Sequence, residues 1–272
     1  MMTQFITMFK LFAKKSLGQN FLINPGVVQK IIAAANLNAD DIVLEVGPGT
    51  GVLTAALAVG ARRVIAVEKD RRLINDLEEK FKNSNVEIIE EDILALDVSR
   101  FKFQDSSFKI VANLPYYITS HFIRNVFGSA SWQTARPKLL VLMVQKEVAQ
   151  RMTATPPDMN LLALSVQYFS KPEIITYVSA GSFRPIPSVD SAVIKLTPKS
   201  ELALTPEKQA QLFSILRSVF AGKRKQLVNT LQDALNLDKD RVSALLTRAL
   251  IVPQARPETL SLEDWLVLVN RL

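Results

Sequence analysis

A short apolar strand that runs into alternating glycines constrains the fold of this chain more than any other feature. Ile42–Val46 is the apolar run, and Gly47, Gly49 and Gly51 follow it. Glycine permits backbone torsions that other residues avoid and lets the chain approach a ligand closely. A helix beginning at Val52 then presents free N–H groups to that ligand. This succession predicts an open α/β sheet with a ligand-binding loop at the carboxyl end of a strand.

The spacing of the glycines argues against a nicotinamide dinucleotide site, which needs the pattern G-x-G-x-x-G. Counted from Gly47, the third glycine would be Val52, and counted from Gly49 it would be Thr54. Read from Glu45, the segment is E-x-G-x-G-x-G, which resembles the first motif of class I methyltransferases. A plain tight turn is the alternative interpretation.

Strand-like and helix-like segments alternate through residues 1–200, which is typical of an α/β fold. Apolar runs predict strands at Ile42–Val46, Val64–Glu68, Val86–Glu90, Lys109–Ala112, Leu139–Val144, Leu164–Phe169, Ile174–Val178 and Ser191–Leu196. Helical spacing predicts helices at Gly26–Ala35, Val52–Leu57, Arg71–Phe81 and Lys146–Met152.

The pattern becomes helical after Pro198. Thr205 followed by proline is typical of a helix N-terminus, and apolar residues then recur at helical spacing from Leu212 onward. Ser261 and Asp264 have the spacing of a capping box. We therefore predict a catalytic domain over residues 1–200 and a helical domain over residues 201–272.

The composition excludes several kinds of chemistry. The chain has no cysteine and one histidine, His121, so disulfides, thiolate metal sites and a cysteine nucleophile are excluded. We expect no metal, and we expect His121 to be structural or on the surface. No apolar run reaches the ~18 residues of a transmembrane helix, and the N-terminus lacks a signal-peptide pattern. We therefore expect a cytoplasmic protein without a membrane partner.

The net charge of +7 suits a polyanionic partner. Two stretches, residues 1–39 and 214–230, are basic and contain no acidic residue. Their cations are Lys10, Lys14, Lys15 and Lys30 in the first, and Arg217, Lys223, Arg224 and Lys225 in the second. A solvated surface and contact with a polyanionic partner are equally good interpretations of either stretch alone.

A second motif, Asn113-Leu114-Pro115-Tyr116, follows the strand predicted at Lys109–Ala112 and is similar to the [DNS]-P-P-[YFW] loop of amino-methyltransferases. The exocyclic amine of adenine is a poor nucleophile because its lone pair is delocalised into the ring. The Asn113 side-chain oxygen and the Leu114 carbonyl can each accept one of its N–H groups, which favours a pyramidal nitrogen. Pro115 fixes φ, and Tyr116 offers a stacking face. The motif predicts methylation of adenine N6 by positioning, without a strong general base.

Further candidates follow other strands. Glu68 ends the second strand, where a carboxylate can accept both ribose hydroxyls of a nucleoside cofactor. Asp92 can accept from the cofactor's adenine amine, and Glu90 and Glu91 are its rivals. A methylated base has to be flipped out or already unpaired, and Phe183, in a loop stiffened by prolines, is the candidate for a second stacking wall. A hydrophobic loop plug is the alternative role of Phe183.

Five segments in sequence order together resemble the ribosomal RNA adenine dimethyltransferase family, and most closely its bacterial small-subunit branch. They are Lys15–Leu22, Glu45–Gly51, Asn113–Tyr116, Phe183–Ser191 and Arg217–Asn229. The resemblance covers nearly the whole chain. It implies a Rossmann-like class I methyltransferase sheet, mostly parallel and seven-stranded, with a small C-terminal all-helical domain that recognises rRNA.

The resemblance also implies a cofactor, a substrate and a partner. The residues that would contact S-adenosyl-L-methionine are Asn20, Leu22, Gly47, Glu68, Asp92 and Asn113. The substrate would be two adjacent adenosines in the 3′-terminal hairpin loop of 16S rRNA, each dimethylated at N6, with S-adenosyl-L-homocysteine as the co-product. We expect a monomer that acts on an assembling 30S particle.

Two alternatives stay open. The macrolide-resistance enzymes that methylate 23S rRNA share the fold and the chemistry, although they commonly have Asn-Ile-Pro-Tyr in place of Asn113–Tyr116. A non-catalytic nucleic-acid-binding protein on the same fold is a different class. The intact Gly47, Glu68, Asn113 and Tyr116 argue against it.

Overall fold

The computed structural model describes residues 13–14, 17–101, 103, 108–133, 135–222 and 225–272, and the chain divides into two compact units. The first unit runs as far as Ala149 and includes Pro172–Pro198. The second unit comprises Gln150–Lys171 and Lys199–Leu272. Residues 150–171 therefore group with the C-terminal helices, whereas the sequence pattern assigns them to the catalytic domain.

The first unit contains a seven-stranded sheet and a separate pair of short strands. The strands of the chain are β1 (Phe21–Leu22), β2 (Ile42–Val46), β3 (Arg63–Glu68), β4 (Val86–Glu90), β5 (Phe108–Asn113), β6 (Leu139–Gln145), β7 (Ser170–Val178), β8 (Phe183–Arg184) and β9 (Ser191–Pro198). The sheet order is β4-β3-β2-β5-β6-β9-β7, and β1 pairs with β8. The pairs among β2 to β6 are parallel, and β9 is antiparallel to β6. The predicted mostly parallel, seven-stranded sheet is confirmed.

The helices of the first unit are α1 (Pro25–Ala35), α2 (Val52–Gly60), α3 (Arg71–Lys80), α4 (Thr119–Gly128), α5 (Ala130–Gln133) and the start of α6 (Lys146–Met152). Those of the second unit are α7 (Leu161–Phe169), α8 (Pro206–Ala221), α9 (Leu227–Leu235), α10 (Lys239–Arg248) and α11 (Leu262–Asn270). Within the described ranges, none of these helices has the length and apolar character to cross a membrane.

The prediction of a strand at Leu164–Phe169 is wrong, because this segment belongs to helix α7. Asn160 caps the helix: its side-chain oxygen accepts a hydrogen bond from the Ala163 N–H at 3.0 Å. Ala163, Leu164 and Tyr168 are buried in the core of the helical unit. Periodicity alone does not separate a short apolar strand from a buried helix, so the error follows from the shortness of the run.

The helix starts predicted in the second unit are confirmed. The Thr205 side chain accepts a hydrogen bond from the Lys208 N–H at 3.4 Å, at the start of α8. At the start of α11, Ser261 and Asp264 exchange backbone-to-side-chain hydrogen bonds of 3.2 and 2.8 Å, which complete a capping box. The helices bury one apolar cluster that includes the fully buried Trp265.

The strand order reverses between β2 and β5. From β2 the chain adds β3 and β4 on one side, and β5 and β6 then lie on the other side. Ligands of open α/β sheets bind at the carboxyl ends of the strands, where the order reverses. Val46 pairs with Ala112 in the register of these two strands. Gly47 and Asn113, the next residues along the chain, therefore leave the sheet side by side.

A buried ion pair joins the elements at the opposite, amino-terminal edge of the sheet. The Lys109 ammonium lies 2.7 Å from a carboxylate oxygen of Asp41, which is fully buried. The same ammonium donates to the carbonyl oxygens of Ala35 at 3.1 Å and Asn36 at 2.6 Å. A cation is favourable at a helix C-terminus, so one side chain ties the end of α1 to β2 and β5.

We expect Lys109→Met to lower the free energy of unfolding by about 3–5 kcal/mol, because Asp41 then loses its cation inside the core. Urea denaturation followed by circular dichroism measures this change. Arg63→Met is the matched control, since Arg63 pairs with Glu87 at the surface, where an ion pair contributes at most ~1 kcal/mol. If Lys109→Met and Arg63→Met lost the same amount of unfolding free energy, the larger effect expected for the buried ion pair would be contradicted.

Candidate active site

The glycine-rich loop after β2 needs glycine for its backbone conformation. Gly47, Gly49 and Gly51 have φ angles of 69°, 58° and 71°, which side chains rarely tolerate. A Cβ atom on Gly49 would lie 2.8 Å from the ring of Phe21, and one on Gly51 would lie 2.7 Å from the ring of Phe81. The loop is therefore shaped by torsion and by close packing at the same time.

Glu68 is held at this loop by backbone groups. One carboxylate oxygen accepts a hydrogen bond from the Gly49 N–H at 3.2 Å, and the other accepts one from the Asp70 N–H at 2.8 Å. Burial raises the pKa of the Glu68 carboxyl, and the hydrogen bonds from Asp70 and Gly49 oppose that rise. The side chain is thus oriented before any ligand binds.

The Asn113 side chain at the end of β5 is anchored by the N-terminal segment. Its amide nitrogen donates to the carbonyl oxygen of Asn20 at 3.1 Å, so the amide oxygen is the atom that can accept a further hydrogen bond. Gln19 holds that segment in place, because its side-chain amide donates to an Asp70 carboxylate oxygen at 2.8 Å and its side-chain oxygen accepts from the Lys14 N–H at 2.7 Å.

The loop that follows Asn113 is a tight turn. The buried Leu114 donates its N–H to the carbonyl oxygen of Met143 at 3.2 Å, and Pro115 has a φ of −55°. A short 3-10 helix begins at Tyr116, whose hydroxyl lies 2.7 Å from the Ser191 hydroxyl. Burial raises the pKa of Tyr116, so the phenol stays neutral at physiological pH.

These groups line one cavity at the carboxyl edge of the sheet. Its walls are formed by residues 17–21, 47, 49, 68–69 and 113–117. Among the residues predicted from the sequence, the cavity brings together Asn20, Gly47, Glu68 and Asn113–Tyr116. A base-sized ligand in this cavity would lie between the glycine loop and the Asn113–Tyr116 loop.

Three predicted site residues lie outside this lining. Leu22 is buried in β1 and lines a smaller adjoining cavity, which also reaches Gly47 and Asn113. Asp92 lies 2.7 Å from the ammonium of Lys69, and Lys69 itself lines the main cavity.

Phe183 is the third predicted site residue that lies outside the lining of the main cavity. It is fully buried in a hydrophobic core cluster, opposite Leu22 in the β1–β8 pair. His121 is exposed on α4. In the described part of the chain, no group of three or more acidic, histidine or cysteine side chains could hold a metal ion.

Tyr117 and Lys69 are among the residues of the cavity wall to which sequence reasoning assigned no role. Tyr117 exposes 54% of its surface, and Gly18, with a φ of 56°, packs so closely on it that a Cβ atom would lie 3.2 Å from the ring. Lys69 follows Glu68 directly and pairs with Asp92. Both neighbour predicted residues in sequence, so adjacency to the motifs was the available signal.

Glu45, the first residue of the glycine motif, is a buried acid beside the adjoining cavity. Burial raises the pKa of its carboxyl from 4.5 to about 8, and the nearby Thr54 hydroxyl opposes the rise. Its Oε2 atom has no hydrogen-bond partner among the described residues. Lys80 lies close enough to stabilise the charged form and also donates to the carbonyl oxygen of Thr50 at 2.7 Å.

The sheet order, the glycine loop after β2 and the Asn113–Tyr116 loop after β5 together define a Rossmann-like methyltransferase. A model of the family described as "Ribosomal RNA adenine dimethylase" matches residues 11–272. The chain belongs to that family, and the predicted enzyme class, an rRNA adenine dimethyltransferase, is confirmed. A methyltransferase of this family uses S-adenosyl-L-methionine.

Relatives and solved structures agree with this assignment. A protein of Dehalococcoides mccartyi named "Ribosomal RNA small subunit methyltransferase A" is 45% identical, with 96% of this chain and 88% of the relative covered. One of the same name from Halothermothrix orenii is 39% identical, with coverages of 99% and 91%.

Two crystal structures share the fold. A dimethyladenosine transferase from Plasmodium falciparum matches with a TM-score of 0.75 and 31% identity, covering 91% of this chain and 95% of that chain. The 23S rRNA methyltransferase ErmE matches with a TM-score of 0.75 and 28% identity, covering 93% and 99%. The fold is therefore common to an enzyme named for dimethyladenosine transfer and to one named for methylation of 23S rRNA.

The raised pKa of Glu45 predicts a pH-dependent stability. Between pH 4.5 and about 8 the native state holds a proton that the unfolded chain has released, so the free energy of unfolding falls as the pH rises through this window. We expect Glu45→Gln to remove most of that fall, as measured by urea denaturation at several pH values. Glu79→Gln, at an exposed position, is the control and should leave the pH dependence unchanged. If the unfolding free energy of Glu45→Gln depended on pH as that of the native protein does, the assignment of this proton to Glu45 would be refuted.

Proposed function

We propose that this enzyme transfers methyl groups from S-adenosyl-L-methionine to N6 of two adjacent adenosines in the 3′-terminal hairpin loop of 16S rRNA. The observation that carries the proposal is the orientation of Asn113. Because its amide nitrogen is bonded to Asn20, its oxygen is available to accept an N–H of the adenine amine. The Leu114 carbonyl follows in the same turn and accepts the second N–H. Tyr116 supplies a ring on which the base stacks.

The chain's residues fit S-adenosyl-L-methionine. The three positive-φ glycines give the loop a backbone conformation that side chains rarely adopt and that can approach a ligand closely. Glu68 is fixed beside this loop to accept the ribose hydroxyls. Asn20, Leu22 and Asn113 border the same region. When bound, the cofactor supplies an electrophilic methyl group on a sulfonium.

Asp92 is proposed to bind the cofactor's adenine amine. Because its Oδ2 is held by Lys69 and its Oδ1 accepts from the Leu94 N–H at 3.0 Å, the amine has to share a carboxylate that is already engaged. In this proposal Phe183 supports the site from its buried position. It can stack on the base only if its ring becomes exposed. Tyr117 already presents an exposed ring to the cavity.

The small subunit is favoured as the substrate because relatives at 39–45% identity carry a small-subunit name. The structural comparison does not separate the candidates, since ErmE matches as well as the dimethyladenosine transferase. We propose that residues 201–272 recognise an assembling 30S particle and that the enzyme acts as a cytoplasmic monomer. Of the basic cluster after α8, Lys223 and Arg224 lie outside the described residues.

Methylation of separated, unmodified ribosomal subunits tests the substrate. We expect labelled methyl groups in small-subunit RNA only, at two adjacent residues that mass spectrometry identifies as N6,N6-dimethyladenosine. Incorporation into large-subunit RNA alone would establish the 23S alternative. Absence of methylation, together with no calorimetric binding of S-adenosyl-L-methionine, would establish the non-catalytic alternative.

The orienting role of Asn113 has its own test. We expect Asn113→Ala to lower kcat by about a hundredfold, because the amine loses an acceptor and its alignment, while the thermal stability changes little. Asn125→Ala is the matched control: its amide also donates to a backbone carbonyl, that of Leu94 at 3.3 Å, but it lies outside the cavity lining. Near-native turnover of Asn113→Ala would contradict the role of Asn113 in orienting the amine.

A further inference from the structure

An exposed aromatic ring lies beside the catalytic cavity without belonging to it. Tyr177, near the end of β7, exposes 53% of its surface. The Lys146 ammonium lies 5.3 Å from the centroid of its ring, a cation–π distance. An aromatic ring at the surface next to a cation is the combination that proteins use to hold an unpaired base and its phosphate.

A chain of contacts links this ring to the catalytic loop. Lys146 donates its N–H to the carbonyl oxygen of Asp190 at 3.0 Å. The next residue, Ser191, starts β9 and lies 2.7 Å from the hydroxyl of Tyr116. The four strands β5, β6, β9 and β7 are consecutive neighbours, and strands lie ~4.8 Å apart. Tyr177 is therefore ~15 Å from the end of β5, where Asn113 lies, a span of a few nucleotides.

The cations near Tyr177 are not neutralised by partners. Lys30 of α1 donates to the hydroxyl of Thr176 at 3.1 Å. Because successive side chains of a strand point to opposite faces of the sheet, this ammonium lies on the face of β7 opposite the Tyr177 ring. Neither Lys30 nor Lys146 forms an ion pair with a carboxylate of the described residues. Lys146, the cation beside the ring, can therefore bind a phosphate without giving up a salt bridge.

The acidic residues of this region are mostly engaged elsewhere. Glu173 pairs with Lys195 at 2.9 Å, and the Asp190 carboxylate accepts a hydrogen bond from the Ala180 N–H at 3.0 Å. Glu147 is a further exposed acid. Asp190 and Glu147 offset the nearby cations, so stacking on the Tyr177 ring, rather than net charge, favours a nucleotide at this surface.

We propose that Tyr177 and Lys146, here named the Tyr177 patch, bind an unpaired nucleotide of the RNA close to the methylated adenosine. The base stacks on the Tyr177 ring, and the Lys146 ammonium contacts a flanking phosphate. This proposal rests on the proposed function, because it requires an RNA substrate in the catalytic cavity. It adds a second stacking position that fixes the register of the RNA strand.

Variants of the patch separate RNA binding from catalysis. We expect Tyr177→Ala to weaken binding of unmethylated small subunits about tenfold, with kcat at saturating subunit concentration unchanged, and Tyr177→Phe to bind normally. Lys146→Gln should reduce the slope of log K against log salt by about 0.7. Lys82→Gln, an exposed lysine in the turn between α3 and β4, should leave the slope unchanged.

A fluorescence experiment reports the stacking directly. The natural tryptophans, Trp132 and Trp265, are buried, so Tyr177→Trp introduces the exposed indole. Unmethylated small subunits or a single-stranded adenosine oligonucleotide should quench its emission, because a stacked base quenches an indole. A blue shift without quenching would indicate a protein contact and overturn the proposal.

Two other results would also overturn it: native affinity of Tyr177→Ala, or a fall in kcat without a change in KM. Calorimetry with S-adenosyl-L-methionine checks that each variant is folded, and Tyr177→Leu replaces the alanine variant if that one does not fold. If the wild-type enzyme methylates small subunits and the patch variants behave as wild type, only the Tyr177 patch is refuted. If the wild-type enzyme methylates no small subunit, the proposed function fails instead.

Discussion

The parallel pairing of β2 with β5 is the contact on which the candidate site depends. It joins strands that are distant in sequence, and its register aligns Val46 with Ala112. Because parallel strands end at the same edge of a sheet, the glycine loop and the Asn113 loop emerge together. The reversal of strand order leaves a crevice between them. A cofactor and a base can therefore meet there without either loop having to move far.

The polar groups of that crevice are oriented by the backbone rather than by other flexible side chains. Backbone N–H groups fix both oxygens of Glu68, and the Asn20 carbonyl fixes the Asn113 amide. Such preorganisation lowers the cost of aligning reacting groups. The bonds from the Lys80 ammonium to the carbonyl oxygens of Thr50 and Gly51 also hold the glycine loop in place.

The two edges of the sheet serve different purposes. At the amino edge, the Lys109–Asp41 pair is buried and closes the ends of α1, β2 and β5. At the carboxyl edge, Tyr117 and Tyr177 remain about half exposed. Since ErmE shares the fold, the fold alone does not decide which RNA is methylated, because a fold does not specify a substrate.

The sequence by itself determined the chemistry and most of the elements. Glycines at alternate positions, Glu68 at a strand end and the Asn113–Tyr116 motif are local features, and local features are readable from the chain. The sheet class followed because strand and helix patterns alternate and because five ordered motifs resemble one family. The helix caps at Thr205 and Ser261 were readable for the same reason, since a cap depends on neighbouring residues only.

Tertiary structure decided which side chains face the cavity. Phe183 and Tyr117 are both aromatic residues near a motif, but packing buries the first and exposes the second. Leu164–Phe169 is apolar enough for a strand, and it is a helix because Asn160 caps it and the helical core buries it. Tyr177 and Lys146 lie far apart in sequence and carry no motif, so only the pairing of β6, β9 and β7 could bring them together.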